Sequence, residues 1–390
     1  MSEDSCDVAV IGGGPAGAAM AVALRRKAPS LSVTLVERTT YDAPRLGETL
    51  PPDVRLSLSR LGVWESFLRD GHLASRGTAS CWGRAEPGFN DTMMSPWGSA
   101  WHLDRTRFDE RLSVEAARQG ARVLRATTLV DSESLGRNGY RLRLSHGAAD
   151  PSTLRARFVV DATGGKATFA SARGARRLVS DRCFAVYGSF QLQGGAVFPT
   201  HALVESCPEG WWYSALLPRG RVVVALVGDG DSLRGLRWAT PEPWMNLLKQ
   251  APVTWARLDA CDFVGEALIA VPVLVGQLDR PRGEQWLAVG DAACTYDPLS
   301  SQGITKALGS ALLAADALER CLSGDADALQ DYESMLNARF QDHQRTRGVY
   351  YRQEQRWPQA PFWMNRWEAL PAPAASPAQS RRSHSTEVNP

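Results

Sequence analysis

At 390 residues, with 44% hydrophobic and 22% charged side chains, the chain is long enough to bury a large core and to hold two subdomains. A formal net charge of +2 excludes a partner selected by bulk charge, so no nucleic acid is expected. Seven cysteines without C-x-x-C or C-x-x-H spacing argue against a zinc site or a disulfide framework, and no metal is expected.

The first element is a short β-branched strand from Val8 to Ile11. It turns through Gly12, Gly14 and Gly17 into an alanine-rich helix, with Pro15 and Ala16 at the turn. The G-x-G-x-x-G spacing is weak alone, but here a strand precedes it and a helix follows. A second strand, SVTLVER, then ends in Glu37 and Arg38. Such glycines allow a tight turn and close backbone approach to a pyrophosphate at the helix N-terminus, while the second-strand carboxylate accepts ribose hydroxyls. The pattern points to a dinucleotide; a purely structural βαβ unit is the alternative. No charged N-region with an apolar run behind it opens the chain, and no apolar run approaches about 18 residues, so the expectation is a cytoplasmic protein without a membrane span.

RLGETLPP follows, from Arg45 to Pro52, and sets Glu48 and Thr49 between Gly47 and a Pro-Pro break, a rigid loop of the kind that positions functional groups. His102 in SAWHLDR is either an acid–base group or a hydrogen-bonded structural histidine. Arg105 and Arg107 in DRTRFDERL either serve a site or decorate a solvated helix face. FVVDATGG, residues 158 to 165, reads as a strand running into a glycine turn. RCFAVYGSFQL, HALVES, GWWYSALLP and RVVVALVG read as a mainly antiparallel sheet, the last being a hairpin return after LLPRG. Of Trp211 and Trp212 only one can face a cavity, since neighbours on a strand point to opposite faces; either could equally be core.

QWLAVGD, residues 285 to 291, reads as a strand ending in Asp291. The loop GDAACTYDPLSSQGITKAL leads into a helix for which Ser300 or Ser301 could be the N-cap. Within it Cys294 is read as a small buried thiol and Asp297 as an Asx-turn residue. A helix over 328–350 and a tryptophan-bearing stretch over 351–370 follow, and the Pro/Ala/Ser-rich residues 371–390 read as disordered. There is no internal repeat and no second G-x-G-x-x-G unit.

GGGPAG with its glutamate, DATGG, and GDAA before a helix together resemble the FAD-dependent monooxygenases of the p-hydroxybenzoate hydroxylase superfamily, over residues 5 to about 330. The resemblance implies an α/β fold with a Rossmann-like FAD-binding domain (GR2-type) built from residues 1–75, 100–175 and 282–330. A mainly antiparallel substrate domain would come from 76–100 and 176–281, and C-terminal helices from 331–370. It assigns the FAD ribityl chain to Asp291 and the flavin-facing loop and helix to Pro298, Gly303 and Ile304. It also places Arg45, Glu48 and Thr49 beside the flavin, Arg105 at the cofactor, and Trp211 and Tyr213 on the substrate side. Glu48, Pro298 and His102 are the catalytic candidates.

With no second dinucleotide fold, electrons are expected from NAD(P)H directly or through a partner flavin reductase. The implied reaction is hydroxylation of an electron-rich aromatic through a flavin C4a-hydroperoxide. GETLPP and GDAACTYDP also resemble flavin halogenases, which use a lysine shortly after the first segment. The four lysines are Lys27, Lys166, Lys249 and Lys306, none in that region. Residues 74–83 occupy that region, and Arg76, the only basic residue among them, stays protonated and is no substitute nucleophile. GETLPP, SCWG, GWWYSALLP and DPLSSQGI look like the flavoproteins that hydroxylate tryptophan in maturing tryptophylquinone cofactors. The implied substrate is an indole, free or in a tryptophan-containing peptide or protein. A halogenase, a geranylgeranyl-reductase-like enzyme and a non-catalytic FAD-containing maturation module are the other readings.

Overall fold

A computed structural model describes residues 4–43, 45–147, 151–233 and 240–369. Strand β1 (Asp4–Ile11) is buried from Val8 onward, as expected where apolar side chains fill both faces of a covered strand. It pairs in parallel with β2 (Val33–Val36) on one side and with Ser152–Asp161 on the other. Trp286–Ala288 extends the parallel set, so that Ile11 lies opposite Asp161 and Asp161 opposite Ala288. The carboxyl ends of these strands are therefore level, and the turns leaving them line one crevice, the place where open α/β sheets bind ligands.

Helix α1 (Pro15–Lys27) packs against the sheet and against the helix Gly303–Leu322. Small residues make this close packing workable: Ala18, Ala19 and Ala21 on one helix and Ala311, Ala314 and Ala315 on the other are all within 1% of complete burial.

The second sheet has eight strands, in the order Cys294–Thr295, Cys261–Leu278, Arg177–Leu192, Arg221–Gly228, Gly210–Leu216, Ala202–Cys207, Gly77–Cys81 and Gly88–Asp91. All pairs are antiparallel except that between Ala202–Cys207 and Gly77–Cys81. The expected hairpin is present, Gly210–Leu216 returning as Arg221–Gly228 through the turn Pro218–Gly220. A small third sheet joins β3 (Thr49–Leu50), Ala100–His102 and Leu73–Ser75.

Two local expectations differ from the structure. Cys294–Thr295 pairs with Gly276–Gln277 of the second sheet, because the chain crosses between sheets directly after Asp291. The helix Gly303–Leu322 has Gln302 at its N-cap, without a side-chain cap; Ser300 and Ser301 are used by the preceding turn Pro298–Ser300, which Asp297 caps through the Leu299 N–H. The C-terminal helical segment expected over 331–370 contains a second helix, Pro361–Ala369, whose Phe362 and Trp363 are both buried in a cluster with Trp211 and Tyr351. The helix Ala328–Gln353 runs as anticipated, and the tail 371–390 lies outside the described residues. Among the described residues no helix is long and apolar enough to cross a membrane.

The glycine crowding at the crevice is directly testable. A Cβ on Gly17 would stand 1.8 Å from the Gly12 carbonyl oxygen, whereas one on Gly309 would meet nothing nearer than the flexible end of Arg339, at 3.5 Å. Gly17→Ala should lower the unfolding free energy by about 3 kcal/mol or more. Gly309→Ala should be neutral or stabilising by up to about 1 kcal/mol, both read from urea midpoints.

Candidate functional site

At the crevice, Gly12 has φ +105°, and a Cβ there would lie 2.3 Å from the Ala162 carbonyl oxygen. The N-terminus of α1 carries no side-chain cap and no acidic residue in its first turn, and Pro15 occupies its first position. Its N–H groups are thus available to an anion, with the helix dipole favouring negative charge.

Glu37, just past β2, is 5% exposed. Its Oε1 accepts from the Thr39 N–H at 3.0 Å, the Thr39 hydroxyl at 2.6 Å and Arg45 at 3.2 Å. Oε2 accepts from the Gly13 N–H at 2.6 Å and keeps a lone pair for a donor such as a ribose hydroxyl. Arg38 points to solvent and makes no hydrogen bond or ion pair among the described residues.

Asp161 is fully buried and accepts from the Thr163 N–H and hydroxyl and from the Ala170 N–H; burial pushes its carboxyl up. It fixes the DATGG turn beside Gly12. Gly290, at φ +59°, brings the GDAA turn so near α1 that a Cβ would stand 2.6 Å from Ala16 Cβ. Asp291 follows with its side chain 53% exposed and pairs with Lys306 at 2.5 Å. Arg177 donates to the carbonyls of Asp291 and Ala292, each at 2.9 Å. An uncapped helix start, a spare acceptor on Glu37, an exposed carboxylate at Asp291 and open space beside Gly164 and Gly303 all fit FAD.

The RLGETLPP loop is anchored by a residue the sequence reading passed over. Asp109 is fully buried and receives Arg45 at 2.8 Å and Arg105 at 3.1 and 3.2 Å. Arg105 also donates to the carbonyls of Leu46 and, at 2.9 Å, Gly47. Of the two helix arginines, Arg105 turns inward and Arg107, 47% exposed, faces Asp70 at 3.6 Å. The spacing of Arg105 and Asp109, one helical turn apart, was the signal available for this pair.

Between the second sheet and the loops Thr49–Pro52 and Asp297–Gln302 lies a cavity of about 1090 Å³. Thr78 and Ser80 line it, while the alternating Ala79 and Cys81 are buried in the core. Thr49 and Tyr213 both line it and share a short hydroxyl–hydroxyl hydrogen bond. Glu48 is 4% exposed and accepts the Gly47 N–H at 2.9 Å. Burial pushes its carboxyl up to about 7 against the opposing pull of Arg105 and Arg221. Its charge in turn helps burial raise the phenols of Tyr187 and Tyr213.

Other candidates lie elsewhere. Trp211 is not a cavity wall: it is 2% exposed, donates to the Tyr351 hydroxyl at 3.3 Å and packs under the C-terminal helices. Trp212 is buried on the opposite face, 5.1 Å from Trp244. His102 is fully buried. Its Nδ1 meets the Leu216 carbonyl at 2.7 Å, which assigns the proton to Nδ1. Nε2 has no partner among the described residues, and burial lowers its pKa to about 4, so it does not reach the cavity as an acid–base group. Pro298 is exposed at the first position of its turn, with Leu299 and Ser300 forming the cavity wall. Gly303 is exposed at the helix start, and Ile304 behind it is 8% exposed. Cys294 is a buried thiol whose pKa burial raises.

Asp297 is 2% exposed and fully engaged, by Leu299 N–H, by Arg347 at 2.7 Å and by Tyr351 at 3.0 Å. Arg347 bridges on to Asp181, which also receives Arg366. Arg366 fills the cluster of Asp181, Cys183 and Asp229, donating at 3.1, 2.8 and 2.7 Å. A guanidinium thus sits where those three side chains could otherwise face a metal ion.

Residues 5–222 match the family model described as FAD binding domain. LodB of Marinomonas mediterranea, whose name describes an FAD-dependent oxidoreductase, is 28% identical over 367 residues, covering 93% of this chain and 97% of that one. The structure of a peptidyl tryptophan dihydroxylase essential for tryptophylquinone cofactor biogenesis, QhpG, superposes with a TM-score of 0.75 at 26% identity, covering 94% of this chain and 79% of that one. The myxobacterial chondrochloren halogenase CndH shares the fold, with a TM-score of 0.82 at 24% identity over 93% of this chain and 86% of its own.

Glu48 makes a pH-dependent contribution of predictable sign. Its folded pKa of about 7 exceeds the ordinary 4.5, so native protein binds more protons than unfolded chain between those values. The stability it contributes is complete below pH 4.5 and is lost as pH rises through 7, an effect of about 3 kcal/mol. Glu48→Gln should therefore unfold later than the parent at pH 8, with the difference shrinking toward acid, read from melting temperatures across pH.

Proposed function

The chain belongs to the FAD-binding-domain family, and from that premise we propose that this FAD-dependent oxidoreductase is a monooxygenase hydroxylating an electron-rich aromatic ring, an indole or tryptophan side chain, free or carried in a peptide or protein. The observation that carries the reading is the cavity of about 1090 Å³ sharing its walls with the two loops that leave the cofactor crevice, Thr49–Pro52 and Asp297–Gln302. It is ample for a planar substrate and mixes hydroxyls with apolar walls, the usual make-up of a small-molecule site.

In this reading FAD is held by the Gly12–Gly17 turn, Glu37, Arg45, Arg105, Asp291 and the helix start at Gly303 and Ile304. Bound and reduced, FAD supplies the electrons that activate dioxygen, drawn from NAD(P)H directly or through a flavin reductase. The chain's own work is binding, orientation and proton transfer. Thr49 and Tyr213 orient the ring by their paired hydroxyls. Pro51 and Pro52 present apolar surface that displaces water. Glu48 does not itself line the cavity but precedes Thr49, which does, and with a pKa near 7 it is the group of this loop proposed to exchange a proton at neutral pH.

A halogenase reading draws on one observation, that Lys306 lines the cavity. Its amine is already committed, however, to Asp291 at 2.5 Å and to the Cys294 carbonyl, which leaves it poorly placed as a nucleophile.

The test is reduction of the FAD-loaded protein, then isotopically labelled dioxygen with N-acetyltryptophanamide and with tryptophan peptides, with and without bromide. Labelled oxygen in the indole, indifferent to bromide, is the expected result. A brominated product would establish the halogenase, and no modified product would move a reductase or a maturation module ahead. Glu48→Gln should lower turnover roughly 100-fold or more while leaving FAD content unchanged.

A further inference from the structure

The last strand of the eight-stranded sheet, Gly88–Asp91, pairs with Gly77–Cys81 on one side, and no described strand pairs with its other edge. Proteins ordinarily guard such edges with charge or proline, because unpaired N–H and C=O groups accept another strand. Here the strand is short and follows Glu86 and Pro87, yet the segment that carries it onward exposes apolar side chains. Phe89 is 66% exposed, Met93 77%, Met94 91% and Trp97 39%. Single exposed apolar residues are ordinary, but four within one short segment at an open edge form a patch of the kind that binds a partner. Methionines make such a patch adaptable. The one acidic residue of the strand, Asp91, is turned back onto the Met93 N–H at 2.9 Å and toward Arg76 and His201 at 3.5 Å.

This segment is also a wall of the cavity. Asn90 and Thr92 line it, while their neighbours Phe89 and Met93 are outside, so a chain laid along the edge would run at the cavity rim. The charged lining is five cationic against three anionic side chains. Two of the cations, Arg84 and Arg339, are exposed and make no hydrogen bond or ion pair among the described residues.

We propose that the edge from Gly88 to Trp97 is the docking surface for an extended, acidic polypeptide segment that delivers its aromatic side chain into the cavity. This deepens the aromatic-oxygenation reading and rests on it. Main-chain hydrogen bonds to the free edge give affinity, and alternation of side chains along the added strand gives specificity. One set turns to the cavity and the other to the Met93–Met94 strip, with acidic flanks meeting Arg84 and Arg339.

The experiment selects random dodecapeptides with one fixed tryptophan on the immobilised FAD-loaded protein, then measures binding of labelled winners to parent and to the double variant Met93→Asp, Met94→Asp. Winners enriched in Asp and Glu, binding the variant about 10-fold or more weakly, are expected, with N-acetyltryptophanamide binding unchanged. Equal binding to both proteins, or no acidic enrichment, would overturn the proposal. So would a change from dimer to monomer in the variant by light scattering, which would make a second copy the occupant. Binding is read independently of turnover: peptides that bind through this edge yet gain no oxygen would overturn the oxygenation reading and leave the docking surface standing.

Discussion

The backbone at Gly12 passes so near Ala162 that a side-chain carbon would stand 2.3 Å from its carbonyl oxygen, and the same crowding recurs between Gly17 and Gly12 and between Gly290 and Ala16. Those approaches let three turns from three parallel strands meet at one level. Parallel register supplies the rest, since Ile11, Asp161 and Ala288 stand side by side. Add a β-carbon at any of the three and the turns must separate, taking the uncapped helix start away from Glu37 and Asp291.

Two buried ionic assemblies then hold the loops that leave this crevice. Asp109 draws Arg45 and Arg105 inward, and Arg105 secures the carbonyls of the GETLPP loop. Asp297, Arg347, Asp181 and Arg366 form an alternating chain that fastens the Pro298 turn to both C-terminal helices. Removing one member of such a chain strands its partner in low dielectric, at about 3–5 kcal/mol. The cavity between the two loops is thus walled by segments tied down far from it in sequence, which suits a site that must keep a planar ring in one orientation.

Legibility in the sequence followed the range of the interactions. The βαβ unit, the strand before DATGG and the antiparallel runs from Arg177 to Gly228 are local patterns of period and turn chemistry, and the structure contains them. The bounds of the helix Pro361–Ala369 within the expected C-terminal helical segment were not legible, because its apolar residues are covered from several sides and leave no single stripe. Trp211 escaped for a related reason: alternation states that it and Trp212 face opposite ways, but not that Tyr351 and Trp363 cover its side. Lys306 was set aside by counting lysines near GETLPP, whereas the fold brings it to the same cavity from a helix beginning at Gly303. Burial of Glu48 and His102 likewise depends on distant strands, so neither the raised carboxyl nor the neutral imidazole could be read from neighbours in the chain.

The most direct test of the central claim is the yield of hydrogen peroxide when reduced, FAD-loaded protein is reoxidised by dioxygen with and without a tryptophan-containing peptide. If oxygen is transferred to an aromatic ring, peroxide should be near equimolar with flavin alone and fall well below that when peptide is present. Peroxide equimolar with flavin whatever indole, tryptophan or peptide is added would contradict the account.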